Sequence, residues 1–173
     1  MRWNKLLLLL ALTAGIALEA HAQYLETGLK AYPVIAHSQG MEWGMNGTGV
    51  ELTYLHRLES EVLLKGGFEA ALCGWGSQLL VPLGCRLGGQ HDLEGSLING
   101  IALYQQAPAW VGGLELSYVL SFLSAKKNAL VLSAGLRLII QPAYKEYSPL
   151  YYYLELPLRI SWSRKLRKTE LQP

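Results

Sequence analysis

The feature of this sequence that most constrains its fold is an alternation of apolar and polar residues that recurs along the chain. It is clearest in 152–162, where the even positions are Tyr, Leu, Leu, Leu, Ile and Trp and the odd positions include Glu155, Arg159 and Ser161. Successive side chains of a β-strand point to opposite faces, so this period predicts a strand with one apolar and one polar face. A helix is disfavoured because its charges would fall on every side of the helical wheel.

The same period predicts eight strands. Three are strongly periodic and five weaker ones precede them: 110–122, 130–140 and 152–162, after 26–35, 49–55, 61–72, 78–87 and 93–104. The fifth strand is the least regular, because Ile98 and Ala102 share the parity of Glu94 and Ser96. An even number of strands puts both termini at the same end of an up-and-down antiparallel barrel.

The orientation of the two faces decides the kind of barrel. The apolar face runs for about six alternating positions and ends in aromatic residues, as expected at the two interfaces of a bilayer. The other parity mixes charges with small residues, including Lys30 and Glu61, which suits a narrow interior filled by side chains. We therefore predict an all-β, eight-stranded antiparallel up-and-down transmembrane β-barrel. Its predicted structural charge network in the lumen is Glu51, Lys65, Glu69, Arg86, Glu115, Arg137, Glu155 and Arg159. Glu155 is expected to pair with Arg159 or Arg137.

The gaps between the strands alternate in character. Those at 56–60, 88–92 and 124–128 are short and polar, whereas those at 41–48, 74–77, 105–110 and 143–151 are rich in Trp and Tyr. Short turns of transmembrane barrels face the periplasm, so the aromatic gaps are predicted to face outside. The predicted membrane-interface aromatics are Trp43, Trp75, Trp110, Tyr118, Phe122, Tyr152 and Trp162.

The first 22 residues predict a cleavable secretory signal peptide. Arg2 and Lys5 precede an apolar run that closes on Ala20-His21-Ala22, which is typical of a signal cleaved after Ala22. The predicted domains are therefore the signal at 1–22, the barrel at 23–163 and a basic periplasmic tail at 164–173. Export by a Sec-type route to the bacterial outer membrane is the localisation that follows.

Two proline-containing segments carry a resemblance to a known family. Residues 79–83, Leu-Leu-Val-Pro-Leu, and 153–159, Tyr-Leu-Glu-Leu-Pro-Leu-Arg, resemble strands of small outer-membrane β-barrel proteins, the OmpA-like and porin-like group. The resemblance implies an eight-stranded barrel of the outer membrane and carries over no catalytic residue. Proline lacks a donor for the strand ladder, so Pro82 and Pro157 are each expected at a bulge or near a rim.

The sequence contains few residues that could form a disulfide, a catalytic site or a metal site. Cys73 lies on the polar parity and Cys85 on the apolar one, which disfavours a disulfide, although an oxidising compartment permits it. His37, Ser38 and Glu42 have the residue types of a Ser hydrolase, but adjacency in sequence is not the geometry of a triad. We predict no catalytic, cofactor-binding or metal-binding residues.

The function that follows is structural or interactive. The expected partners are outer-membrane lipids, with surface or periplasmic proteins as further candidates, and a net charge of +2 gives no reason to expect nucleic acid. One alternative is a soluble periplasmic barrel that binds an apolar ligand, in which the apolar face would point inward. The other is an outer-membrane lipid-modifying enzyme that uses His37 and Ser38.

Overall fold

Antiparallel strands form almost all of the described structure. The computed structural model describes residues 23–37, 40–58, 61–73, 76–88, 91–104, 107–125, 127–141 and 151–166, so the predicted signal peptide lies outside it. The strands are β1 Gln23–His37, β2 Gly40–Arg57, β3 Val62–Cys73, β4 Gly76–Gly88, β5 His91–Tyr104, β6 Ala107–Ala125, β7 Asn128–Gln141, β8 Tyr151–Glu155 and β9 Leu158–Lys165. In the described ranges no helix has the length and apolar character needed to cross a membrane.

The sheet closes on itself as a barrel. Each strand from β1 to β7 pairs with the next, and β8 and β9 together occupy one position between β7 and β1. The nine segments therefore make eight wall positions, and every neighbouring pair is antiparallel. We call the end that holds Gln23 and Lys165 the terminal rim and the other end the loop rim. The predicted eight-stranded up-and-down topology is confirmed.

Pro157 lies where the eighth wall strand is interrupted. The register of β8 and β9 against β7 is the same on both sides of the break. Leu156 N donates to Pro33 O at 2.7 Å, and Gly135 N donates to Pro157 O at 3.1 Å, so the backbone stays bonded across it. Pro82 differs from the expectation of a bulge or rim, because it lies inside β4 in a continuous register with β5.

A bulge in the β1–β2 hairpin changes which side chains face inward. Tyr32 pairs with Gly47 and Pro33 pairs with Met45, so Asn46 is the extra residue of β2. An extra residue shifts the alternation of faces by one position, so residues beyond it use the opposite face from the one their parity predicts. Asn46 is buried in the interior, whereas Met45 is exposed on the outside.

Several strands are longer than the alternation predicted. Residues 41–48 were expected as a loop but belong to β2, and 107–110 belong to β6. Glycine and aromatic residues weakened the period there without ending the strand. Glu61 also departs from the expectation, since it precedes β3 and is exposed at the terminal rim.

The alternation sorts the side chains as expected for a membrane barrel. Large apolar side chains lie on the outside, and the buried face is dominated by charged and hydroxyl-bearing residues. The outer face of β5 and its neighbours, for example, presents Leu97, Leu83 and Leu114, which are 64%, 54% and 55% exposed. The alternative of a soluble barrel required the apolar face to point inward, and the structure shows the opposite arrangement.

Candidate functional site

The interior of the barrel holds one connected lattice of ion pairs. Ten buried side chains belong to it: Glu26, Lys30, Glu51, Lys65, Glu69, Arg86, Glu94, Glu115, Arg137 and Arg159. All eight wall positions contribute at least one of them. Five are cations and five are carboxylates, so the lattice is neutral when all ten are ionised.

Lys30 and Arg137 join the half of the lattice nearer the loop rim. Arg137 contacts Glu69 through two parallel hydrogen bonds of 2.7 Å and also binds Glu115. Lys30 Nζ lies 2.6 Å from Glu51, 2.8 Å from Glu69 and 3.3 Å from Glu115. A bidentate arginine–carboxylate pair is among the stronger charge-assisted contacts in proteins. This half is therefore held by two cations that share the same carboxylates.

Glu94 joins the half nearer the terminal rim. Lys65 Nζ lies 2.6 Å from Glu94, and Arg86 donates to Glu94 at 2.7 Å and 2.9 Å. Arg86 also forms a bidentate pair with Glu26 at 2.7 Å and 2.9 Å. Arg159 bridges Glu94, at 3.3 Å, to Glu51, at 2.8 Å, so the two halves are continuous.

A tyrosine ring and a glycine hold one arginine of this lattice in position. The guanidinium of Arg137 lies 4.9 Å from the centre of the Tyr32 ring, at cation–π distance. A Cβ atom on Gly49 would lie 2.5 Å from Tyr32 Oη, so any larger residue at position 49 would displace the ring. Glycine on the inner face therefore allows Tyr32 to support the arginine.

The structure places all eight sequence-predicted lumen residues inside the barrel, but it does not join them all. Seven belong to the lattice and Glu155 does not. Lys30, which the sequence places on the polar parity but not in the predicted network, also belongs to it. Two further members, Glu26 and Glu94, were not among the predicted residues. The parity of the two glutamates could have identified them. Glu26 has the same parity as Lys30, and Glu94 has the same parity as Ser96, which is also buried. The irregular period of the fifth strand hid Glu94.

Glu155 occupies a separate polar pocket near the loop rim. The expectation that it pairs with Arg159 or Arg137 is wrong, because those arginines contact Glu51, Glu94, Glu69 and Glu115 instead. Among the described residues no cation lies within 4 Å of its carboxylate. Its side-chain partner is Asn46 from the β2 bulge, whose Nδ2 donates to Glu155 Oε1.

Neutral polar side chains continue this pocket. Tyr153 lies two residues from Glu155 on the same inward face, and its hydroxyl accepts hydrogen bonds from Gln78 at 2.9 Å and Gln141 at 3.3 Å. An apolar cluster lies against the same tyrosine, made of Leu80, Ile98, Ala102, Val111 and Ile139. Around Tyr153, between the ion-pair lattice and the loop rim, the lumen therefore has a neutral polar side and an apolar side.

The outer wall carries an apolar belt with aromatic residues towards both ends. On β6, Trp110 lies near the loop rim and Phe122 near the terminal rim, and the outward residues between them include Leu114, Leu116 and Tyr118. Twelve residues separate Trp110 from Phe122, which is about 40 Å along a strand. At the usual barrel tilt this gives a height of about 30 Å, comparable with a bilayer core.

The other predicted interface aromatics follow the same pattern where they are described. Tyr152 lies near the loop rim, and Trp162 lies near the terminal rim, both exposed on the outside. Trp110 Nε1 donates to Asn99 Oδ1 at 2.7 Å, and Tyr118 Oη lies 2.7 Å from His91 Nδ1. Trp75 and the side chain of Trp43 lie outside the described residues.

The cysteines face opposite sides of the wall. Cys73 pairs with Gly76 near the loop rim and faces inward, whereas Cys85 pairs with Leu64 and faces outward. Both thiols are free.

The residue types suggested for hydrolysis are not tested by this geometry. Ser38 and the side chains of His37 and Glu42 lie outside the described residues. In the described ranges no three His, Cys, Asp or Glu side chains converge as metal ligands would.

Three solved outer-membrane proteins resemble this chain to different degrees, and the first shares its architecture. Neisserial surface protein A superposes with a TM-score of 0.58 and 10% identity, over 83% of this chain and 97% of that one. Ail, the attachment invasion locus protein of Yersinia pestis, gives 0.46 and 14% identity over 82% and 98% of the chains. The outer membrane protein OprG from Pseudomonas aeruginosa gives 0.42 and 9% over 86% and 97%.

Sequence comparisons add nothing to this likeness. No protein-family model matches the chain, and no curated protein sequence does. The closed wall, the polar interior and the superposition on the neisserial barrel agree on the architecture. The chain therefore has the fold of the eight-stranded outer-membrane β-barrels.

Proposed function

We propose that the protein is an integral barrel of the bacterial outer membrane with a sealed interior, and that it acts as a structural or surface-interacting scaffold. The observation that carries the proposal is the neutral lattice of ten charged side chains, to which every wall position contributes. Breaking a buried pair leaves an uncompensated charge, so the lattice resists the rearrangement that opening a pore would need.

The apolar belt on the outer wall supports the proposal that membrane lipids are a partner of the protein. Exposed Leu, Trp and Phe side chains surround the wall, and closure leaves no unpaired strand edge to face lipid. The basic residues Lys127, Arg164 and Lys165 are exposed at the terminal rim, where they would meet headgroups or the periplasm. The loop rim would then face outside and carry any contact with surface proteins.

A bilayer recording tests the sealed interior. The mature protein inserted into planar bilayers is expected to give no conductance above that of the protein-free bilayer. The Arg137→Ala and Glu69→Ala double variant removes a bidentate pair and much side-chain volume, so it is expected to give measurable conductance. Stepwise openings of the wild type would disprove the sealed scaffold.

Two controls accompany this recording, one for insertion of the barrel and one for the loss of a charge. Insertion is checked by the different migration of unheated and boiled samples on a denaturing gel, which marks a closed barrel. Arg164→Ala changes a charge of the same kind at an exposed rim position and is expected to leave the bilayer silent.

Export gives a separate prediction. The full chain expressed in a Gram-negative host is expected in the outer-membrane fraction, with Gln23 as its first residue after cleavage of 1–22. Amino-terminal sequencing of the fractionated protein checks both points. Recovery in the aqueous periplasmic fraction without detergent would contradict the proposed location.

A further inference from the structure

We infer that the pocket around Glu155 binds a monovalent alkali cation, Na⁺ or K⁺. The pocket consists of Glu155 and Asn46, and beside them lie Tyr153 and Gln141, which are joined to each other by a hydrogen bond. It is distinct from the ion-pair lattice, and it does not depend on whether the interior is sealed.

Charge balance is the first argument. The five carboxylates of the lattice match its five cations, so among the described residues towards the loop rim Glu155 is an acid without a matching cation. Its side chain is 2% exposed, and no described cation lies within 4 Å of it. A buried charge of this kind requires compensation. One monovalent cation supplies it, whereas a divalent ion would leave an excess positive charge.

Unused oxygen ligands are the second argument. Asn46 Oδ1 and Gln141 Oε1 are buried and have no hydrogen-bond partner in the described structure. Asn46 is 7% exposed and Gln141 is 1% exposed, so water does not readily satisfy them. Asn46 Nδ2 donates a hydrogen bond to Glu155, so the Oδ1 atom of the same amide group lies close to the carboxylate. Buried polar atoms without partners are rare enough in proteins to require an explanation.

The ligand set selects the class of ion. Carboxylate and amide oxygens are hard ligands, which suit alkali and alkaline-earth cations better than transition metals. A cation bound by the Glu155 carboxylate can also take Asn46 Oδ1 of the same pocket as a ligand. A proton on Glu155 is the competing form of compensation, and the dependence on the salt distinguishes the two.

The fold explains why these groups meet. The bulge in β2 turns Asn46 inward, and the register places Glu155 opposite Val34 of β1, so Asn46 reaches the carboxylate across β1. Gln141 at the end of β7 contacts Tyr153, which adjoins Glu155 on β8. All of these residues belong to the part of their strands nearer the loop rim.

Salt-dependent unfolding tests the site. The mature protein is refolded in zwitterionic micelles with a chelator, and its unfolding midpoint is measured in NaCl, KCl or N-methyl-D-glucamine chloride at equal ionic strength. The midpoint is expected to be higher in at least one alkali salt and to rise with the logarithm of its concentration, as for any ligand of the native state. In E155Q the three salts are expected to give the same midpoint.

Two further variants separate the site from general salt effects. Asn46→Ala removes one amide oxygen and should weaken the dependence on the alkali cation, even if E155Q folds poorly. Met45→Ala alters the neighbouring residue, which faces outward, and should keep the full dependence. Broadening of the sodium NMR line by the wild type, reduced in Asn46→Ala, would report binding directly.

Two results would overturn the inference. The first is a wild-type midpoint that is the same in all three salts, which would leave a proton as the compensating charge. The second is an E155Q protein that responds to Na⁺ or K⁺ as the wild type does. Neither result bears on the bilayer recording, so failure of this site and failure of the sealed scaffold are distinguishable.

Discussion

Replacement of Arg137 with leucine is expected to lower the free energy of unfolding by about 3–5 kcal/mol. Arg137 is 1% exposed and holds Glu69 through two hydrogen bonds and Glu115 through further contacts. Without it, Lys30 alone must compensate both carboxylates from one side. The measurement is equilibrium unfolding in micelles by denaturant, followed by tryptophan fluorescence.

Matched variants identify the cause of that loss. Arg164→Leu removes an exposed arginine at the terminal rim and is expected to change stability by no more than about 0.5 kcal/mol. The double variant Arg137→Leu and Glu69→Leu removes both members of a pair, so it is expected to be more stable than the sum of the single changes predicts. Additive losses would mean that Arg137 contributes through volume and not through its charge.

The alternation was sufficient to predict the fold because it reports directly which face each side chain uses. In 152–162 it placed Glu155 and Arg159 inside and Ile160 and Trp162 outside, and the structure agrees at all four positions. The period did not predict strand ends. Gly44, Gly47 and Gly49 weaken it in β2, yet the hairpin pairing with β1 keeps those residues in the ladder.

The contacts between charged side chains inside the barrel could not be predicted, because they depend on information that the local sequence lacks. Which carboxylate Arg159 meets is set by the stagger of the barrel and by the lengths of facing side chains, so Glu51 and Glu94 were not predictable from β9 alone. The pocket of Glu155 needed the bulge at Asn46, which shifts the parity of β2 by one residue. A bulge leaves little trace in sequence when glycines surround it.

Replacement of Leu97 with arginine is expected to lower the free energy of unfolding in a phospholipid bilayer by about 2–4 kcal/mol. Leu97 lies in the middle of β5, is 64% exposed on the outer face and pairs with Leu83 and Leu114, which are also exposed. An arginine there would have to enter the hydrocarbon core or distort the membrane around it. The measurement is reversible unfolding from phospholipid vesicles by guanidinium.

The same substitution nearer the terminal rim is the matched control. Leu87 is exposed on the adjacent strand β4, one residue from its end, so an arginine there can reach the interface. The cost of Leu87→Arg is expected to be about 0–1 kcal/mol. In a water-soluble barrel both changes would fall on a wet surface and cost about 0.5 kcal/mol or less. Equal costs at the two positions would therefore place this wall outside the membrane, whereas a difference of about 2 kcal/mol or more requires a lipid core between the rims.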